Sequence, residues 1–315
     1  MNLAAGTFAG RDLPQNARAV LRADNDFLIR KIDVICGGLM NGDFQRAFIW
    51  GAISVFNVRH LTEGADTFKY AALFDFPPDE ERIPIRIRKL AQVVRLPYET
   101  VRRQALLLER DGLCVRVPGK GIFVPTASFQ QPSNIEGVRQ MIAAVQRLIA
   151  DLKRLGFDFA DLARSPRIGQ SDPSSIARAV VRLNASYTLD VVEMLRAAHD
   201  DDPVEAVIFT AIVTENTRHL PTADFAAPDA LVPDALRRPV SALAASASLN
   251  IPYETLRRMF ARMVRAGRLA RVKDGFIVPQ SAQRRAEDDD VLRLRHARLL
   301  RFLADLQYIG MPMPG

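Results

Sequence analysis

The feature that most limits what this chain can fold into is a tetrapeptide used twice. Pro97-Tyr98-Glu99-Thr100 and Pro252-Tyr253-Glu254-Thr255 are each followed by an arginine pair, Arg102-Arg103 and Arg257-Arg258. Each pair opens an amphipathic run that reaches a glycine, Gly112 or Gly267. An arginine-bearing apolar strand, a glycine-centred turn and a closing strand then end at Pro125 or Pro279. The likeness extends beyond this unit. Residues 43–61 align with 202–220, and 148–156 with 302–310. Each half therefore carries the same order: a helix, an apolar helix, a basic helix pair, a hairpin and a closing helix. Two copies imply internal duplication rather than a solenoid, which needs more repeats to stack. The expected fold is mainly α with small β-hairpins. The expected division is a flexible tail at 1–20, a first unit at 21–156, a linker at 157–183, a second unit at 184–310 and a short tail at 311–315.

Charge follows the repeat. The chain of 315 residues has a formal net charge of +7. Residues 82–125 carry ten Lys/Arg against three Asp/Glu, and residues 237–279 carry nine against two. Each segment is thus +7, and the remainder of the chain is net negative. Positive charge gathered in the repeated unit points to a polyanionic partner. Cys36 and Cys114 sit in apolar surroundings and read as core residues, with no disulfide framework. The N-terminal residues contain no sustained apolar run, so they do not read as a signal peptide, and no stretch is long enough to span a bilayer. A cytoplasmic protein without a membrane role is the expectation.

Local signals place the elements. A helix is expected from about Asp26 to Met40, ended by Asn41-Gly42. Asp43 then caps an apolar helix that runs to about Leu61. Residues 62–81 read as a connector. Ile87, Leu90, Ala91 and Val94 share one face of a short helix. Pro97 suits the first turn of the next one, because its missing N–H costs nothing there. Val101, Ala105 and Leu108 line the buried side of this second helix, and Gly112 ends it. Residues 126–134 read as a turn-rich joint, followed by a helix to about Leu155 and a stop at Gly156. Residues 157–183 read as a linker region, with residues 165–175 a loop. The acidic run at 287–290 would cap a helix starting near Val291.

A short helix, a tight turn and a second helix with basic residues near its start form the arrangement that enters a DNA major groove. Tyr98, Glu99, Thr100, Arg102 and Arg103 lie on or beside the exposed face, as do Tyr253, Glu254, Thr255, Arg257 and Arg258. One arginine of each pair suits a guanine edge and the other a phosphate. Each glutamate suits a cytosine amino group or simply the helix N-terminus. Arg95 lies in the first turn. The first hairpin adds Arg116 and the tip Lys120-Gly121. The second adds Arg271 and the tip Lys273-Asp274-Gly275, which is shorter and less positive.

The segment from Leu90 to Val124 resembles the winged helix-turn-helix of GntR-type bacterial transcription regulators. Leu90-Ala91, Thr100-Val101-Arg102, Leu108-Glu109, Gly112-Leu113, Gly119-Lys120-Gly121 and Phe123-Val124 carry the resemblance. It covers roughly 45 residues in each half. It implies an internally duplicated winged helix-turn-helix architecture, with Tyr98, Thr100, Arg102 and Gly121, and Tyr253, Thr255, Arg257 and Gly275, near DNA. The usual turn glycine is Arg95 or Asn250 here, and the usual serine opening the second helix is Pro97 or Pro252.

No Walker loop, dinucleotide fingerprint or nucleophile elbow occurs, and His60, His199, His219 and His296 have no metal-ligand spacing. The reading is therefore not an enzyme, with no cofactor and no metal. It is a transcriptional regulator that binds double-stranded DNA, with two half-sites per chain, and its apolar helices at 43–61 and 202–220 either pack the halves together or support self-association with the helices at 134–155 and 291–309. No effector ligand is assigned. Two other functions fit the same units: a plasmid, phage or chromosomal replication or partition initiator on repeated sites, and a protein-interaction scaffold with degenerate winged domains. His60 and His219 share a place in Arg-His-Leu and suggest a shared structural job at a helix end.

Overall fold

The computed structural model describes residues 13–38, 43–62, 68–160, 162, 171–221 and 231–314. It is mainly helical, with two small antiparallel hairpins. The helices are α1 (Ala17–Gly38), α2 (Phe44–Asn57), α3 (Ile87–Val94), α4 (Tyr98–Arg110), α5 (Thr126–Gln130), α6 (Pro132–Arg154), α7 (Ala177–Arg196), α8 (Pro203–Thr217), α9 (Ala242–Leu249), α10 (Tyr253–Arg265), α11 (Gln280–Ala286) and α12 (Asp289–Tyr308). The hairpins are β1 (Val115–Val117) with β2 (Gly121–Phe123), and β3 (Ala270–Val272) with β4 (Gly275–Ile277).

The chain divides into two compact units, and neither is one continuous stretch. Residues 34–146, 159–190 and 302–315 form the unit that holds β1–β2. Residues 1–33, 147–158 and 191–301 form the unit that holds β3–β4. Four of the five divisions fall inside α1, α6, α7 and α12, and the fifth, between residues 158 and 159, lies beyond the end of α6.

Three helix starts follow from aspartate caps. The carboxylate of Asp43 accepts from the Arg46 amide at 2.9 Å. That of Asp202 accepts from Val204 and Glu205, at 3.0 and 3.1 Å. Asp288, within the acidic run, accepts from Val291 at 2.9 Å. Each satisfies an amide that has no partner inside the helix.

Several boundaries differ from the sequence reading. α1 begins at Ala17 rather than near Asp26, so the segment around residue 20 is helix and not tail. Its buried face (Ala17, Val20, Leu21, Phe27, Leu28) is interrupted by Arg18, Asp24 and Asn25, which are themselves buried and obscure the period. Residues 126–130 are helical instead of a joint, and α6 starts at Pro132. α7 begins at Ala177, inside the expected linker region at 157–183. The expected stop at Asn41-Gly42 lies outside the described residues.

Around β1–β2 the packing is simple. Leu90 from α3 and Val101, Ala105 and Leu108 from α4 are fully enclosed, with Ile49 and Ile53 of α2 and Ile122 and Val124 of the hairpin. Around β3–β4, Leu256, Phe260 and Met263 of α10 and Val278 hold the same places. There Phe260 meets Phe276 edge-on at 4.8 Å. Cys36 and Cys114 are buried, and burial pushes the Cys114 thiol up to about 12. Two buried cations also serve packing. Arg178 lies over the Phe76 ring at 4.5 Å and donates to the Leu73 and Phe129 carbonyls and to Asn134 Oδ1. Lys31 is fully enclosed 4.3 Å from the Phe27 ring, and burial lowers its ammonium to about 7.

His199 follows α7 and is sealed against Phe209, ring to ring at 4.6 Å. Burial, with Arg268 nearby, lowers its imidazole to about 4, while Asp202 and Asp200 act in the opposite sense. The ring is neutral in the folded state and charges near 6.5 once unfolded. Its contribution is therefore complete above pH 6.5 and is lost as pH falls from 6.5 toward 4. The loss amounts to roughly 3 kcal/mol. Urea unfolding of the wild type should show this acid limb, and H199Q should flatten it between pH 6.5 and 5.

Candidate nucleic-acid interface

α4 and α10 owe their orientation to the turn before them. Arg95 and Asn250 end α3 and α9 with left-handed backbone, φ 53° and 50°. This reverses the chain so that Pro97 or Pro252 can open the next helix. Asparagine tolerates that region, whereas arginine pays a modest steric cost there. Proline has no side-chain acceptor, and neither α4 nor α10 has a side-chain cap. The N-cap residues of both helices thus offer their first-turn amides no side-chain acceptor, unlike those of α2 and α8. Such an end suits an anion.

The exposed faces of the two helices match. Tyr98 and Tyr253 are 48% and 43% exposed. Glu99, Arg102 and Arg103 are exposed, as are Glu254, Thr255, Arg257 and Arg258, while Thr100 is half-buried. Arg102 Nε donates to Glu99 at 2.8 Å, and the Arg257 guanidinium to Glu254 at 3.0 Å. In each helix one arginine is therefore oriented by the glutamate a turn earlier. Arg103 and Arg258 carry no hydrogen bond or ion pair among the described residues. The expected site residues on each helix thus gather at its N-terminal end.

The hairpins stand beside these helices because a third strand position holds them. Ile85 and Ile122 exchange two backbone hydrogen bonds of 2.9 Å, and Val240 and Phe276 do the same. One residue from the crossing, Gly121 has φ 132°, and a Cβ there would lie 2.4 Å from the Ile85 carbonyl oxygen. At Gly275 the matching distance, to Val240, is 2.6 Å. Backbone approach explains both glycines without any ligand. G121A should therefore cost about 3 kcal/mol of stability, through backbone displacement and strain at positive φ. Chemical denaturation would measure it, and G119A in the open tip should cost less.

Arg116 and Arg271 lie on the exposed side of their strands, and Lys120 and Lys273 at the tips. Arg116 is paired with Glu109 at 3.0 Å. Val264 stands at the place of that glutamate, and Arg271 has no partner among the described residues.

Two cations of the basic segments do not face outward. Arg82 and Arg237 are buried and donate to the carbonyls of Pro77 and Val232, with Asp79 and Asp234 at 3.5 and 3.6 Å. Those carboxylates also accept from the amides of Thr126 and Gln280. Both arginines belong to the scaffold and contribute nothing to the exposed positive surface.

The residues missed at the sequence level are Asn57 and Asn216, at the ends of α2 and α8. Asn57 Nδ2 donates to Ile83 O at 2.8 Å and Ile122 O at 3.4 Å, and its Oδ1 accepts from Val124 N at 2.9 Å. Asn216 does the same with Arg238 O, Phe276 O and Val278 N, at 2.7, 3.2 and 2.9 Å. One amide thus joins the helix, the third strand and the hairpin. The signal was present, because both asparagines fall at one position of the aligned stretches 43–61 and 202–220.

His60 and His219 are both half-buried with Nδ1 enclosed and unbonded. Among the described residues, no group of three or more His, Cys, Asp or Glu gathers as a metal site, and no helix is long and apolar enough to cross a membrane. No family model, no curated protein and no solved structure matches the chain.

Proposed function

We propose that this chain is a transcriptional regulator that binds double-stranded DNA in a sequence-dependent way through two winged helix-turn-helix modules. α3–α4 with β1–β2 form one module, and α9–α10 with β3–β4 the other. The observation that carries this reading is the pair of matching faces. Each second helix presents a tyrosine, a glutamate-oriented arginine and a second arginine from an end with no side-chain cap, beside a hairpin with a lysine at its tip. An arginine held by a neighbouring carboxylate loses less freedom when it meets a guanine edge, and the second arginine can take a phosphate. The resemblance to GntR-type regulators agrees with this assignment and extends to the hairpin as a wing.

Selection from a random duplex pool, followed by titration of the selected duplex and a scrambled one at several salt concentrations, tests the reading. A selected duplex bound at least a hundredfold more tightly than the scramble is the expected result. Equal binding with steep salt dependence would replace sequence reading by backbone binding. No binding at low salt would overturn the proposal.

A further inference from the structure

The two modules agree where base edges would be read and disagree where phosphates would be held. We propose that both modules read the same short, G·C-containing element, so that the target carries two copies of it, and that only the first module grips the backbone strongly. This rests on the DNA-binding reading above and adds the nature of the target.

The agreement covers backbone and side chains together. Pro97 and Pro252 open their helices at φ −54°, ψ 137° and φ −52°, ψ 132°. Arg95 and Asn250 share the left-handed turn. Over the next two turns both helices expose Tyr, Glu and then Arg-Arg, with the same glutamate–arginine pair, and differ in that Thr255 is exposed where Thr100 is half-buried. The N-terminal residues of such a helix are the ones that reach base edges. Arginine selects guanine by its O6 and N7, and glutamate selects cytosine by its amino group. Identical donors and acceptors on identical backbone select identical bases.

The disagreement lies on the preceding helix and its lead-in. Arg86, Arg88 and Lys89 are exposed in the first module. At the matching places, the second has Ser241, Leu243 and Ala244, also exposed, with Leu243 at 69%. Ser241 caps its own helix, accepting from Ala244 N at 3.1 Å. In winged modules the first helix crosses the backbone, so three cations are available to phosphates in one copy, whereas the matching three places of the other hold none and its lead-in offers a single exposed arginine, Arg238. Each phosphate neutralised adds roughly 0.9 to the slope of log affinity against log salt.

The experiment is random-duplex selection with the full chain in four forms: wild type, R102A/R103A, R257A/R258A and R86S/R88A/K89A. The wild-type motif should contain two copies of one element. The two arginine-pair variants should each enrich that element singly. R86S/R88A/K89A should keep the motif and reduce the salt slope by about 3. Two unlike elements in the wild-type motif, or different elements from the two pair variants, would overturn the inference and leave DNA reading intact. An unchanged salt slope would overturn the assignment of the phosphate grip. A wild type that enriches nothing would overturn both proposals together.

Discussion

Replacing Asn57 by alanine should destabilise the protein by about 4 kcal/mol, a large fraction of the roughly 5–15 kcal/mol that holds a domain folded. The side chain is fully buried and serves three main-chain groups. Alanine would leave the Val124 amide, itself enclosed, without an acceptor, and the Ile83 and Ile122 carbonyls short of a donor. Each such group costs about 1–3 kcal/mol when stranded away from water. Aspartate is no remedy, because its second oxygen would oppose the Ile83 carbonyl and bring a buried charge. N216A should act alike on the other unit, through Arg238, Phe276 and Val278. Urea unfolding of both single variants is the measurement. A change below about 1 kcal/mol would mean that water replaces the amide.

Neutralising both arginine pairs, R102A/R103A/R257A/R258A, should lower affinity for the selected duplex by about three orders of magnitude. Each pair offers a base contact worth roughly 1–3 kcal/mol and a phosphate contact besides, and each 1.4 kcal/mol is about tenfold. All four side chains are exposed and lie off the cores formed by Val101, Ala105 and Leu108 and by Leu256, Phe260 and Met263. The melting temperature and helical content should therefore stay close to wild type. Undiminished affinity would remove these residues from the site.

The second-helix starts, the buried faces of α3 and α4, and both hairpins were legible in the sequence. Their signals are local: a proline, a period of buried apolar residues, a glycine at positive φ. What escaped depends on distant partners. Asn57 interrupts an apolar helix and looks like a flaw until the Val124 amide and the Ile83 carbonyl stand beside it. Arg82 and Arg237 count as surface charge until the Pro77 and Val232 carbonyls enclose them. The start of α1 was hidden by the buried polar residues Arg18, Asp24 and Asn25, of which Arg18 lies near Glu287 and Asp24 is paired with Arg295. For the candidate interface, sequence spacing placed the arginines on the exposed face. It did not indicate that Glu99 and Glu254 orient one arginine of each pair, since that depends on rotamers.

One more contrast bears on how a duplicated chain sorts its own halves. Arg46 is paired with Asp111 and donates to the Leu107 carbonyl. At the matching place, Glu205 is buried and is held by Arg262 and Arg268. The polarity of the contact is reversed. A nascent chain that docked α2 onto α10 would set Arg46 against Arg262 and Arg268. Docking α8 onto α4 would set Glu205 against Asp111. Both errors place like charges together as water leaves, whereas the correct partners attract. Duplicated sequences are prone to such exchange, and repulsion built into the wrong pairing steers folding away from it.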